Sequence, residues 1–94
     1  MRVIGKKHLY DFAQLHEDVA KQIDVWIAEL EDAAWKSPAE LKQRYPHASI
    51  LPMNQVIFNL KGNKYRLLTI ISFKTQTVFV DRIGTHAEYS RWKL

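Results

Sequence analysis

The sequence contains no cysteine, which excludes disulfide frameworks, thiolate zinc sites and cysteine nucleophiles. Only 3 glycines and 3 prolines occur in 94 residues, and no segment has the composition of a flexible linker. No apolar run reaches the roughly 18 residues that span a bilayer. Residues 1–8 also lack the apolar centre of a signal peptide. We therefore expect a single cytoplasmic domain over residues 1–94, with no membrane partner.

Several catalytic signatures are missing as well. The four histidines show no His-x-x-x-His spacing of the kind that holds zinc on a helix. The chain has neither a glycine-rich phosphate loop nor a Gly-x-Ser-x-Gly elbow. A catalytic site in this chain is therefore expected to contain no metal and no cofactor, and to consist of cations, histidine and tyrosine.

Charge is distributed unevenly along the chain. The formal net charge is +4, but residues 1–35 hold four basic and seven acidic side chains, a net of −3, whereas residues 36–94 hold ten basic and three acidic ones, a net of +7. A high net charge alone says little, since many basic domains bind no nucleic acid. Its concentration in the C-terminal two thirds favours a polyanionic partner for that part of the chain.

Hydrophobic periodicity predicts helices in the first half of the chain. Residues 2–4 form a short apolar start, read as a strand. One apolar stripe at helical spacing then predicts a continuous helix, with the stripe in the core and the acidic residues on the other side: Phe12, Leu15, Val19, Ile23, Trp26, Ile27 and Leu30. A second, short helix should begin after Ser37, which can cap it, with Pro38 at its first position and Glu40 completing a capping box.

Three strand-like runs follow, at residues 56–60, 64–73 and 77–83. The first two are joined by Lys61-Gly62-Asn63, in which glycine and asparagine tolerate positive φ. Both connections are short enough for antiparallel hairpins. The order predicts an α+β fold: an N-terminal strand, two helices on one face of a three-stranded antiparallel meander, and a short tail, with the other face left for water or a partner.

The long strand carries the first candidate site. Period-2 alternation places Lys64 and Arg66 together on the face away from the helices, and Lys61 adds a third cation at the same turn. On the pattern alone, a solvated hairpin end is the simpler interpretation. Its functional interpretation is a phosphate clamp, in which the planar arginine fork binds a phosphate bidentately.

The tail, residues 84–92, holds the second candidate site. His86 and Tyr89 are three residues apart, so one helical turn would place them on the same side. Histidine transfers protons near neutral pH, and a tyrosine ring can stack on a base. Arg91 adds a further cation for RNA, and Glu88 is the one carboxylate beside this pair. Such a pair near a C-terminus is also common on ordinary surfaces.

Two motifs together suggest a family. Residues 62–67, Gly-Asn-Lys-Tyr-Arg-Leu, followed by residues 83–89, Ile-Gly-Thr-His-Ala-Glu-Tyr, closely resemble the HigB family of type II toxins, relatives of the RelE toxins. The similarity extends to residues 2–7, the tryptophan-bearing helix and residues 34–38. The resemblance implies a RelE-like α+β fold and a ribosome-dependent mRNA interferase. Such toxins enter the ribosomal A site and cut translated mRNA.

The resemblance also implies partners and residue roles. A HigA-like helix-turn-helix antitoxin would neutralise the toxin, and only their complex would bind operator DNA. Arg66 matches the strand arginine that acts on the scissile phosphate, and Tyr89 lies near the C-terminal tyrosine used in stacking or proton transfer. His86 stands where RelE relatives often carry arginine or lysine. Lys61 and Lys64 are further candidate phosphate contacts.

Metal-free RNA cleavage suits these groups. The ribose 2′-OH attacks its own 3′-phosphate, leaving a 2′,3′-cyclic phosphate and a 5′-OH, and needs a base, an acid and cations. Arg66 with Lys64 is assigned to charge stabilisation, His86 to general acid or base catalysis, and Tyr89 to stacking or, as second choice, proton transfer. Two alternatives remain: a non-catalytic RNA-binding module that uses the basic sheet face, and a protein-interaction domain that docks through the acidic helix face.

Overall fold

The computed structural model describes residues 1–94 and shows a five-stranded mixed sheet with four helices. The helices are α1 (Lys6–Leu15), α2 (Glu17–Asp32), α3 (Pro38–Arg44) and α4 (His86–Tyr89), and the strands are β1 (Arg2–Ile4), β2 (Ser49–Ile50), β3 (Gln55–Leu60), β4 (Tyr65–Ser72) and β5 (Thr77–Thr85). The order across the sheet is β1-β5-β4-β3-β2, with β1 parallel to β5 and the other pairs antiparallel. The α+β class and the β3-β4-β5 meander are confirmed, but β1 and the unpredicted β2 extend the meander at its two edges.

The first predicted helix is two helices. His16 leaves the helical region, at φ −135° and ψ 77°, and separates α1 from α2. Its ring stacks on Phe12 with centroids 4.1 Å apart. Because the chain changes direction here, Leu15 is 81% exposed, whereas Val19 is fully buried. The prediction of one continuous helix with a continuous core face is therefore wrong at this point.

The main core lies between the helices and one face of the sheet. The α1 residue Leu9, five residues of α2 and Leu41 of α3 belong to one buried cluster with alternate residues of the strands. Trp26 and Phe58 meet edge to face in it, with ring centroids 5.3 Å apart. Full burial of each such side chain contributes on the order of 1.5–3 kcal/mol. Tyr65, Leu67 and Ile71 belong to this core, so the predicted position of Arg66 on the other face of the strand is confirmed.

The opposite face of the sheet is only partly open. Ile57 and Leu68 lie opposite each other on β3 and β4, and each is 1% exposed although neither belongs to the main cluster. Farther along the same face, Ile70 and Phe79 form a neighbouring pair and are partly exposed. The prediction that this face is left to water or a partner therefore needs correction around Leu68.

A β-bulge interrupts β5. The β4–β5 register shifts between Leu68 and Thr69, which pair with Arg82 and Val80, so Asp81 is left without a partner. On its other side β5 pairs with β1 only through residues 77–79. Bulges bend a strand and redirect its side chains. The part of β5 that follows the bulge leads into α4.

The predicted start of the short helix is confirmed. Ser37 caps α3 by accepting a hydrogen bond from the Glu40 N–H at 3.4 Å, and Pro38 is the first helical residue. The Glu40 carboxylate accepts from the Lys36 N–H at 2.7 Å, so the reciprocal bond of the cap goes one residue farther back than predicted. No helix in the chain combines the length and apolarity needed to cross a membrane.

Candidate active site

Two segments meet at one end of the sheet. Tyr65 at the start of β4 lies opposite Thr85 at the end of β5. The turn before Tyr65 has positive φ at Lys61 and Gly62, 52° and 65°, and glycine adopts this conformation without a steric penalty. The His86 N–H donates to the Lys64 carbonyl at 3.0 Å. The two sequence motifs of the hypothesis are therefore adjacent in space.

A capping box holds α4 at the end of β5. The Thr85 hydroxyl accepts from the Glu88 N–H at 3.2 Å, and a Glu88 carboxylate oxygen accepts from the Thr85 N–H at 2.9 Å. The Thr85 backbone bond, followed by its hydroxyl bond, lowers the pKa of Glu88. These bonds satisfy amide groups that a helix start otherwise leaves free. Glu88, the carboxylate noted beside His86, thus serves as a cap.

Gly84 allows the tail to pack on the sheet. A Cβ atom at this position would lie 3.0 Å from Cζ2 of Trp92 and 3.2 Å from Cβ of Glu88. Gly84 lies opposite Arg66 on β4, so α4 and Trp92 cover the sheet face that carries Arg66. The prediction that helices occupy one face holds for the main core, but α4 lies across the other face. β5 runs through Gly84 to Thr85, two residues beyond the predicted strand end at residue 83.

Arg66 lies on this second face with its guanidinium held beside Tyr89. Nη1 donates to the Asn63 carbonyl at 3.2 Å and is 3.4 Å from the Asn63 side-chain oxygen. The Cζ atom is 5.2 Å from the centre of the Tyr89 ring, within range of a cation–π interaction. None of the four ion pairs of the chain includes Arg66. The guanidinium therefore has no carboxylate that a phosphate would have to displace.

The aromatic side chains of the tail continue from Arg66 in a chain of contacts. The His86 and Tyr89 rings are 6.2 Å apart, and those of Tyr89 and Trp92 are 5.6 Å apart, in edge-to-face arrangements. Arg82 on β5 lies with Cζ 5.9 Å from the Trp92 ring. We name these five residues the arginine–aromatic row. It places cations, a proton-transfer group and stacking surfaces on one face.

Lys64 does not lie beside Arg66. Its Nζ forms an ion pair with the Asp18 carboxylate of α2 at 2.7 Å, and this hydrogen bond raises the pKa of Lys64. Lys64 precedes the first residue of β4 and belongs to the turn, so strand alternation does not govern its direction. The prediction that Lys64 and Arg66 project together from the sheet is wrong.

Asp18 also binds Tyr65, the first residue of β4, whose side chain belongs to the main core. The Tyr65 hydroxyl donates to the second Asp18 carboxylate oxygen at 2.7 Å and lies 3.4 Å from Nδ1 of His16. Hydrogen bonds from Lys64 and then Tyr65 lower the pKa of Asp18, and the bond to Asp18 raises the pKa of Tyr65. Asp18 of α2 thus holds the turn that contains Lys64, and the Lys64 carbonyl accepts the hydrogen bond from the His86 N–H.

The remaining predicted residues lie at the edges of the site. Lys61 is exposed in the turn, with its N–H bound to the Gln22 side-chain oxygen at 2.7 Å. Arg91 is exposed just after α4, and neither cation has an ion-pair partner. The structure thus brings Arg66, His86 and Tyr89 together. The side chains of Lys61, Lys64 and Arg91 form no hydrogen bond and no cation–π contact with the row.

Sequence reasoning missed Arg82 and Trp92 as members of the site. Trp92 follows Tyr89 by three residues, which continues the His86–Tyr89 spacing and could have indicated it. Arg82 precedes Gly84 by two residues, as strand alternation requires for a shared face. Alternation counted from the start of β5 fails to place Arg82 on that face, because the bulge at Asp81 adds one residue before it. No group of three or more His, Asp or Glu side chains that could hold a metal ion occurs in the chain.

Comparison with known proteins gives the family of the chain. The sequence model of the HigB toxin family, described as the RelE-like toxic component of a toxin–antitoxin system, matches residues 19–92. Relatives include the mRNA interferase toxin HigB of Escherichia coli K12 and the mRNA interferase HigB of Shigella flexneri. Each is 24% identical over 91 residues, covering 95% of this chain and 88% of the relative. The chain belongs to the HigB family of RelE-like toxins of toxin–antitoxin systems.

Proposed function

We propose that this toxin is an endoribonuclease that cuts translated mRNA on the ribosome and so inhibits translation. The observation that carries the proposal is that the half-buried Tyr89 contacts both Arg66 and the exposed His86, with no carboxylate paired to Arg66. A planar guanidinium free of ion pairs is suited to bidentate binding of phosphate. The names of the relatives, mRNA interferases, support the same reaction.

The proposed reaction is transfer of the phosphoryl group within one nucleotide. The 2′-oxygen forms a bond to phosphorus as the bond to the 5′-oxygen breaks. One proton leaves the 2′-OH for a base, and another reaches the 5′-oxygen from an acid. The products are a 2′,3′-cyclic phosphate and a 5′-OH, and the step requires no metal ion, cofactor, oxidant or reductant.

Each role is given to a group of the row. Arg66 stabilises the charge that develops on the phosphorane, an effect worth roughly 10²–10³ in rate for one well-placed donor. His86 acts as general acid or base, worth on the order of 10²–10⁴. Tyr89, between Arg66 and His86, stacks on a displaced base, with proton transfer as its second possible role. Lys61, Lys64 and Arg91 add positive charge toward neighbouring phosphates.

A toxin of this family implies an antitoxin. We propose a HigA-like helix-turn-helix protein in this role, with operator DNA bound only through the complex. The proposed target is the ribosomal A site with its mRNA, which places the toxin in the cytoplasm. A site in which rRNA positions the substrate needs fewer protein groups, consistent with a row in which His86 is the one histidine and Arg66 the one arginine in contact with Tyr89.

The test is cleavage of a reporter mRNA by the purified protein, with and without translating ribosomes. We expect cuts only during translation, with 2′,3′-cyclic phosphate and 5′-OH ends, and a loss of roughly 10²-fold or more for Arg66→Ala. Binding of RNA without cut ends would contradict the proposal and favour an RNA-binding module. Circular dichroism of the variant establishes that the fold is retained.

A further inference from the structure

A cavity of about 410 Å³ lies beside the arginine–aromatic row, between α1, the bulged part of β5 and the tail. Trp92 and Arg82 of the row line one part of it, and Phe12 and Leu15 of α1 line another. Leu15 is 81% exposed because α1 ends at His16. The cavity is thus continuous with the row and has an apolar wall.

The position of Trp92 suits a second stacked base. Its ring is 5.6 Å from that of Tyr89, and Arg82 lies 5.9 Å from its centre. Proteins that bind single strands stack successive bases on aromatic rings and place cations along the backbone. An RNA strand with one phosphate at Arg66 and one base on Tyr89 therefore meets a further ring beside the cavity.

Besides Arg82 and His8, two carboxylates line the cavity, and the one without an ion pair favours a base over a phosphate at its position. Asp81, the bulged residue, contributes a carboxylate that takes part in none of the four ion pairs. The second carboxylate, Asp11, is paired with Lys7 at 2.8 Å. A free carboxylate repels phosphate but accepts a hydrogen bond from the exocyclic amino group of a base. Uracil has no such group.

We propose that this cavity is a specificity subsite that binds one nucleobase bearing an exocyclic amino group, next to the cleaved phosphate. The base stacks on Trp92, its amino group donates to Asp81, and Arg82 binds the adjoining phosphate. This inference rests on the proposed function and adds to it a discrimination against uracil at one position of the RNA.

Binding is measured with 2′-O-methyl trinucleotides of adenosine, cytidine and uridine, which lack the attacking hydroxyl and cannot be cut by the proposed reaction. We expect the adenosine and cytidine probes to bind the wild-type chain more tightly than the uridine probe. Trp92→Ala should weaken binding about tenfold, whereas Trp92→Phe keeps a ring and most of the affinity. Asp81→Asn should bind all three probes about equally, and the matched control Asp24→Asn, on the exposed face of α2, should retain the preference.

The source of the base is determined by mapping cut sites during translation. If the base belongs to the mRNA, Asp81→Asn changes the nucleotide preference beside the cuts. If it belongs to ribosomal RNA, the cut sites stay the same and their yield falls. Wild-type affinities of Asp81→Asn and Trp92→Ala for all three probes would overturn the subsite. A wild-type chain that binds with the expected preference but cuts no RNA would contradict only the proposed catalytic function.

Discussion

The capping box of α4 is the most informative place to perturb the site without touching its reactive groups. Thr85→Val removes the hydroxyl that accepts the Glu88 N–H at 3.2 Å and keeps a β-branched side chain at the end of β5. Loss of such a cap costs about 1 kcal/mol, within a range of roughly 0.5–2. Because α4 has four residues and none is buried, neither its length nor core packing compensates.

A cost of about 1 kcal/mol reduces the population of ordered α4 about fivefold relative to its open state. His86 and Tyr89 lie on this helix, so we expect faster hydrogen exchange at the Glu88 amide and slower cleavage of reporter mRNA. The urea midpoint should stay near that of the wild type, and Thr85→Ser, which keeps the hydroxyl, should retain activity. Wild-type exchange and cleavage in Thr85→Val would refute the reasoning, as would a large fall in global stability.

Three further outcomes follow from the packing and the ionisation of the site. Gly84→Ala should lower cleavage more than stability, because its Cβ would lie 3.0 Å from the Trp92 ring; equal activity and an unshifted tail in its structure would contradict this. Leu68→Ala should lower the free energy of unfolding, measured in urea, by about 2–5 kcal/mol, because Leu68 is buried (1% exposed) although it lies outside the main core. A change below about 0.5 kcal/mol, as at surface positions, would contradict its burial. Hydrogen bonding lowers the pKa of Glu88 in the folded chain. The carboxylate therefore stabilises α4 fully above its ordinary pKa of 4.5, and this stabilisation is lost as the pH falls through the lowered pKa. Amide exchange in α4 should accelerate over that acid range in the wild type, and a Glu88→Gln variant with the same pH profile would contradict this.

Much of the fold follows from local patterns in the sequence. Alternation in the long strand identified the face that carries Arg66, and Ser37-Pro38 identified a helix start through chemistry that acts within four residues. The break at His16 could not be predicted, because the apolar spacing continues through it from Phe12 to Val19. The strand β2 has two residues, too few for a periodic signal.

The sequence predicts the direction of a site side chain where the residue lies within a regular strand or helix. Arg66 is such a residue, since its position on β4 determines its face. Lys64 is not, because its side chain reaches α2 from a turn, and its pairing with Asp18 spans 46 positions of the chain. Arg82 was missed because the bulge at Asp81 shifts the alternation of β5, and one extra residue in a strand leaves no mark in composition. Trp92 lies outside the strands, so only its spacing from Tyr89 could have indicated it.

The central claim is that Arg66 acts on the scissile phosphate of translated mRNA. Its most direct test is induced expression in cells, with the 5′ ends of a translated reporter mRNA mapped by primer extension. Arg66→Ala is compared with the wild type and with Arg2→Ala, an exposed arginine on β1 that also lacks an ion pair. We expect cuts with the wild type and Arg2→Ala that disappear with Arg66→Ala or when translation is blocked. Equal cutting by folded Arg66→Ala would contradict the claim.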